Sequence, residues 1–256
     1  MFERLLKRAK ELSAEGEKHY SQLHNIAEVG LQLPKTVDYV RERLLDMGYE
    51  PEELGGGIVA FAGQGERCIL LRADMDALSF GGDEGSETKN IHACGHDMHT
   101  AMLLLAAELF REFEKEMPVR VALCFQPGEE TLKGAKAMID AGLIEKTNPD
   151  FAVMLHVLTD TEFETGTVII PPFGVGASGA DFFKVTVVGK GCHGSMPYNG
   201  RDPIIAIAYM LSALSSLVSR EVKGPKEFVE VFDHLLQKQQ EPKQFFDLTL
   251  VEQQTN

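Results

Sequence analysis

Residues 91–99 read "IHACGHDMH", three histidines, a thiol and a carboxylate within nine positions. Imidazole, thiolate and carboxylate are the side chains that bind transition-metal ions, and packing alone does not explain such a concentration. Cys94 and His96 stand two apart, a separation at which two side chains of one turn converge on one ion. A closed structural zinc site would need two more soft ligands at short, regular spacing, and no further Cys-x-x-Cys or His-x-x-x-His pair is present. The pair Glu129-Glu130 follows an apolar run through Pro127 and Gly128. Adjacent positions in extended chain point to opposite sides, so one carboxylate could bind metal while its neighbour faces a substrate. That division suits metal-assisted hydrolysis: an ion lowers the pKa of bound water from about 15.7 towards about 7, and a free carboxylate takes the proton.

Each group also has a plainer reading. Paired acids in a loop are usually a solvated surface, and His156, after "FAVML", could be a buried histidine bonded to backbone. Asp74 and Asp76 could cap the neighbouring helix or orient a ligand histidine. His19 and His234 read as ordinary surface or satisfied core residues. The joint occurrence of the others is what favours chemistry.

Positioning these groups requires a scaffold. Residues 2–47 read as helices, with Val37, Val40, Leu44 and Leu45 on one stripe and Gly48 as the stop. "GIVAFAG", "CILLRADMD", "VRVALCFQPGEE" and "DFAVMLHV" read as strands, the first three as short buried apolar runs. "TAMLLLAAELFREFEKEM" and "GAKAMIDAG" read as helices, the former just after the histidine cluster. Alternating strands and helices predict an α/β domain with a largely parallel sheet, whose ligands gather beyond the carboxyl ends of the strands. Asp74, Asp76, Glu129, Glu130 and His156 all fall there. After the glycine-rich "PPFGVGASGA", the alternating "DFFKVTVVGKG" predicts a half-exposed strand of a new sheet. A helix opened by Asp202 and Pro203 follows, then a polar stretch and a terminal strand, "FFDLTLVE".

Composition sets the outer bounds. The 256 residues are 44 % hydrophobic and 25 % charged, a globular mixture in one large or two ordinary domains. Thirty-nine acidic against 25 basic residues, a formal charge of −14, argue against a nucleic-acid partner. No run is long enough to cross a bilayer, and the amphipathic start does not read as a signal peptide. The four cysteines, Cys68, Cys94, Cys124 and Cys192, show no disulfide spacing, which points to a reducing cytoplasm.

"RADMDAL", "HACGHDMHTAMLL", "FQPGEE", "MLHV" and "GKGCHGSMP" closely resemble, in order and spacing, the M20 metallopeptidase family, specifically its amidohydrolase branch. That branch cleaves N-acyl amino acids, hippurate-like substrates and auxin conjugates. The resemblance runs from about residue 20 to 220. It implies a metallopeptidase-like catalytic domain, here 1–178, with an inserted α+β lid, here 179–256 and divergent after about 220. It implies Cys94, His96, Glu130 and His156 as ligands of two divalent ions, zinc, manganese, nickel or cobalt, with Glu129 as general base and acid. His193, in the lid, would reach into the partner subunit's site and hold the developing oxyanion, which implies a homodimer through the lid. The substrate would be an N-acyl amino acid or related small amide, hydrolysed without a covalent acyl-enzyme.

Family members are longer, and the resemblance implies a returning segment that supplies one more ligand histidine. The chain ends at Asn256, and His234 has the wrong surroundings for that part. The expectations are therefore a C-terminal truncation, one missing ligand, and a main sheet with an edge or face left uncovered. A truncated relative that keeps metal binding without catalysis, or pairs with a full-length subunit, is the alternative. "GVGASGADFF" and "SMPYNGRD" are expected to border the substrate pocket.

Overall fold

The computed structural model of the chain describes residues 2–80, 89–159, 163–170, 185–220 and 249–251, with side chains described as far as 215. Two units partition it, Met1–Glu164 and Thr165–Asn256.

Helices α1 (Phe2–Glu11), α2 (Ser13–His24) and α3 (Pro34–Asp46) open the first unit. Pro34 sits in the first turn of α3, where its missing N–H costs nothing. The Glu28 carboxylate accepts the Thr36 N–H there at 2.9 Å, satisfying a donor the helix leaves open. Val37, Val40 and Leu44 are buried as predicted, but Leu45 is 53 % exposed, because one residue further turns the side chain about 100° away. Gly48, with φ of 80°, ends the helix.

Strands β1 (Glu52–Leu54), β2 (Gly57–Ala62), β3 (Cys68–Asp74), a short hairpin of β4 (Leu78–Phe80) and β5 (Lys89–Ile91), helix α4 (His96–Phe113), β6 (Arg120–Gln126), α5 (Gly134–Asp140), α6 (Leu143–Thr147) and β7 (Phe151–Met154) complete the unit. The main sheet runs β1-β2-β6-β3-β7. β6, β3 and β7 are parallel, while β2 is antiparallel to both β6 and β1, so β2 alone opposes the common direction. The predicted largely parallel sheet is thus present, with one reversed strand.

Period-two alternation divides the sheet between two cores. Ile58, Ala60, Leu123 and Phe125 face α3 and α4, whereas Val59, Leu70, Ala122 and Cys124 pack with Met138 and Leu143 on the other side. Burial on both faces is why these strands read as unbroken apolar runs. β7 departs from that pattern: it is an edge strand, and all four of its residues are exposed.

In the second unit, β8 (Thr186–Val188) pairs in parallel with β9 (Thr249–Val251), the described part of the expected terminal strand. The exposed–intermediate–exposed pattern of β8 matches a half-exposed strand. Helix α7 (Pro203–Arg220) starts where Asp202 Oδ1 accepts the Ile204 N–H at 2.8 Å, and it exposes Ile204, Ile205, Tyr209 and Leu211. The glycine-rich bend, the boundary near 178, His234 and the polar stretch lie outside the described residues. Among those described, no helix is long and apolar enough to cross a membrane.

Candidate metal centre

Because β6, β3 and β7 lie side by side and parallel, their carboxyl ends open onto one place. The chain leaving β3 is held firmly there. Met75 donates its N–H to Gln126 O at 2.8 Å, and Ala77 donates to Glu28 O at 2.7 Å. Asp74 and Asp76 are thereby fixed, each 1 % exposed or less.

The cluster does not merely precede the helix. Gly95, with φ of 85°, is the N-cap of α4, and His96, Asp97, His99 and Thr100 lie in its first turns, all buried. Positions three and four apart share one face, so His96, His99 and Thr100 turn together towards the end of β3. His96 Nδ1 donates to Asp76 O at 2.9 Å, His99 Nδ1 to Asp74 Oδ1 at 2.6 Å, and Thr100 Oγ1 to Asp74 O at 2.7 Å.

Glu129 and Glu130 occupy a turn rather than extended chain, which corrects the opposite-sides expectation. The Asp76 carboxylate imposes it, Oδ1 accepting the Glu129 N–H at 3.0 Å and Oδ2 the Glu130 N–H at 3.1 Å. Both carboxylates then approach His96 Nε2 at 3.8 Å, through Oε2 of Glu129 and Oε1 of Glu130. The two differ in access instead: the Glu129 side chain is 36 % exposed and that of Glu130 20 %.

Beyond β7, His156 donates from Nδ1 to Val157 O at 2.7 Å and turns Nε2 to Cys94 Sγ at 3.3 Å. Cys94, His96 and His156 each bring a donor atom within 4.8 Å of the others, as do His96, Glu129 and Glu130. Cys94, His96, Glu129, Glu130 and His156 are therefore brought together. His193 belongs to the second unit, where it is exposed and its Nδ1 accepts the Ser195 N–H at 3.2 Å.

The donors fit a cation. His96 Nε2 and Glu130 Oε1 are buried and have no hydrogen-bond partner, although they face one another. Burial, reinforced by the charge of Glu130, pushes the Cys94 thiol up to about 11, so without a cation it stays protonated. Burial also raises Glu130. For His96 burial acts downwards, but the Asp76 hydrogen bond and the charges of Asp74, Asp76 and Glu130 outweigh it and raise the pKa. A negative field that favours an imidazolium favours a divalent cation more.

Of the two plain readings of Asp74 and Asp76, helix cap or orienting group, the geometry fits the second: they meet His99 and His96, and no side chain caps α4. Sequence reasoning missed a second pair: Asp97 Oδ2 accepts from His24 Nδ1 at 2.7 Å, tying α2 to the start of α4. His19, read as a surface or core residue, is a core residue, buried with Nδ1 2.8 Å from Tyr39 OH. The only signal for the His24–Asp97 pair was a second histidine on α2.

Soft and hard donors converge beyond three parallel strands, with a half-open carboxylate beside them, and make a candidate metal centre on an α/β fold. The sequence matches the peptidase family M20/M25/M40 over residues 70–254, and the chain belongs to that family. It is 38 % identical over 221 residues to the hippurate hydrolase of Campylobacter jejuni, covering 83 % of this chain and 56 % of that protein. It is 38 % identical over 209 residues to the N-acetyl-L-cysteine deacetylase of Bacillus subtilis, covering 78 % and 49 %. A crystal structure described as an aminohydrolase of methicillin-resistant Staphylococcus aureus superimposes with a TM-score of 0.65 at 27 % identity, covering 87 % of this chain and 61 % of that one. The chain spans about half the length of the curated relatives it matches.

Proposed function

We propose that this chain carries the metal centre and the proton-transfer carboxylate of an amidohydrolase acting on N-acyl amino acids or related small amides. The observation that carries the reading is the pair of buried, unpartnered donors, His96 Nε2 and Glu130 Oε1, beside the more open Glu129. Cys94, His96, Glu130 and His156 would hold two divalent ions, and the mixed nitrogen, oxygen and sulfur donors do not select among zinc, manganese, nickel and cobalt. Such ions supply Lewis acidity towards an amide carbonyl and acidify water.

Glu129 does the proton work. Its carboxylate takes a proton from the attacking water and delivers it to the amine nitrogen as the carbon–nitrogen bond breaks. Asp76 holds its backbone for that task. His193 would serve the oxyanion: the Ser195 N–H on Nδ1 leaves Nε2 as the protonated nitrogen, a donor. Residues 1–178 then form the catalytic portion and 179–256 part of a lid, and the exposed apolar face of α7 supports pairing of two chains through it. Hippurate and N-acetyl-L-cysteine, named for the two relatives, are both N-acyl amino acids, which supports the substrate class. All four cysteines are free, in keeping with a cytoplasmic setting.

The test is to count metals in the purified chain and follow amino-acid release from N-acetyl and N-benzoyl substrates beside Glu129→Ala. Equal metal content with turnover lower by about two to four orders of magnitude is expected. Unchanged turnover in Glu129→Ala refutes the proton role. Metal without turnover in the unaltered chain supports a binding-only relative, and failure to take up metal overturns the centre.

A further inference from the structure

Three imidazoles crowd the end of β3. The ring centroids of His96 and His99 are 5.5 Å apart, and those of His99 and His156 4.6 Å. By donor type all three qualify as ligands, and Asp74, His96 and His99 also fall within 4.8 Å of one another. Their hydrogen bonds separate them.

Carbonyl and carboxylate oxygens only accept, so in all three rings Nδ1 carries the proton: His96 towards Asp76 O, His156 towards Val157 O, His99 towards Asp74 Oδ1. In the neutral ring, the form that can bind a cation, each Nε2 is then left with a single in-plane lone pair. In His96 that lone pair has no partner. In His156 it faces Cys94 Sγ. In His99 it accepts the Val157 N–H at 2.9 Å, and is closed to a cation.

We propose that His99 is a neutral strut and not a ligand: it suspends the His156 segment from the end of β3 and so sets the affinity of the ion held by Cys94 and His156. The proposal rests on the metal-centre reading above. The segment needs such a support, since β7 is an exposed edge strand and residues 155–159 have no regular structure. The strut stands on a fixed base, because Arg72 Nη1 holds the other oxygen of Asp74 at 2.7 Å. His99 is a positioning residue, acting on the centre only through Val157 and its neighbour.

The test uses the full chain labelled with nitrogen-15 at histidine and loaded with cadmium-113. Cadmium coupling is expected at Nε2 of His96 and His156 and absent at His99, whose Nε2 stays that of a hydrogen-bonded neutral ring. Coupling at His99 overturns the strut alone, while a chain that takes up no cadmium overturns the metal-centre reading beneath it. Variants give a second measurement through cobalt titration. His99→Asn keeps a donor for Asp74 but offers Val157 nothing, and should weaken the ion with thiolate-to-cobalt absorption by about 10- to 100-fold while sparing the other. His99→Gln places a carbonyl oxygen where Nε2 stood and should restore most of that affinity. Equal loss of both ions in His99→Asn, or no rescue in His99→Gln, refutes the proposal. Should either variant fail to fold, the coupling pattern of the unaltered chain decides.

Discussion

Gly95→Ala tests how tightly the two halves of the centre are geared together. Gly95 lies between Cys94 and His96 with φ of 85°, a conformation that costs a residue with a side chain about 1–2 kcal/mol. There is a second, separable effect. A Cβ built at Gly95 stands closer than 3.0 Å to Val157 Cγ2, and ordinary carbon contacts begin at about 3.5 Å. Val157 must recede by at least about 0.5 Å, whereas metal–ligand distances tolerate only about 0.2 Å. His156 is the adjacent residue. The expected outcome is an affinity for one ion lower by about 10- to 100-fold, the range seen when the supports of a ligand are disturbed. In the double variant Gly95→Ala/Val157→Ala the clash disappears. Affinity should return, while the backbone penalty of about 1–2 kcal/mol persists in urea unfolding of the metal-free chain. Cobalt titration and unfolding curves on the four proteins of the cycle check this. Wild-type affinity in Gly95→Ala would mean that Val157 simply turns aside, and absence of rescue in the double variant would mean that the damage arises elsewhere; either refutes the reasoning.

Two further outcomes are expected. Asp76→Asn leaves only one oxygen to accept two N–H groups in a fully buried position, and should cost about 2–3 kcal/mol in urea unfolding; a loss below about 0.5 kcal/mol would show that the glutamate turn holds itself. Burial lowers the His19 pKa below the usual value of about 6.5, so the neutral ring stabilises the fold above that pH and the benefit is lost as pH falls through the lower folded-state value. The urea midpoint should therefore drop as pH goes from about 6.5 towards 5, and His19→Gln should flatten that part of the profile. An unaltered slope in His19→Gln assigns the effect to other groups.

What could be read beforehand follows from which signals are local. Strands β2, β3 and β6 announced themselves because burial on both faces leaves a continuous apolar run, and the turn after β3 did so through its charges. β7 carries the same apolar signature yet is exposed, since an edge position is decided by neighbours and not by the strand's own residues. β1 went unread because its Glu52 and Glu53 are exposed and leave no alternation. The gathering of metal-compatible groups at the carboxyl ends of the strands was legible from residue type and placement, while the choice of Cys94, His96, Glu130 and His156 among them came from the family resemblance. The way they are held was not legible: the turn at Glu129 exists because a carboxylate 53 positions earlier accepts its amide. The separate use of His99 depends on one backbone amide of a distant segment, and no spacing rule encodes that.

The order of the sheet also bears on how the molecule comes into being. β2 and β3 are successive strands, but they do not pair with each other; β6 enters between them, pairing Ile58 with its Phe125 on one side and Ala73 with the same residue on the other. Until residue 126 has left the ribosome, β3 has neither of its neighbours and β2 is paired along one edge only, with β1. Closing such sequence-distant pairs is slow, because chain entropy is lost before the contacts reward it. Apolar strand edges stay open during that interval, and the late insertion of β6 sets the moment at which the floor of the candidate metal centre first exists.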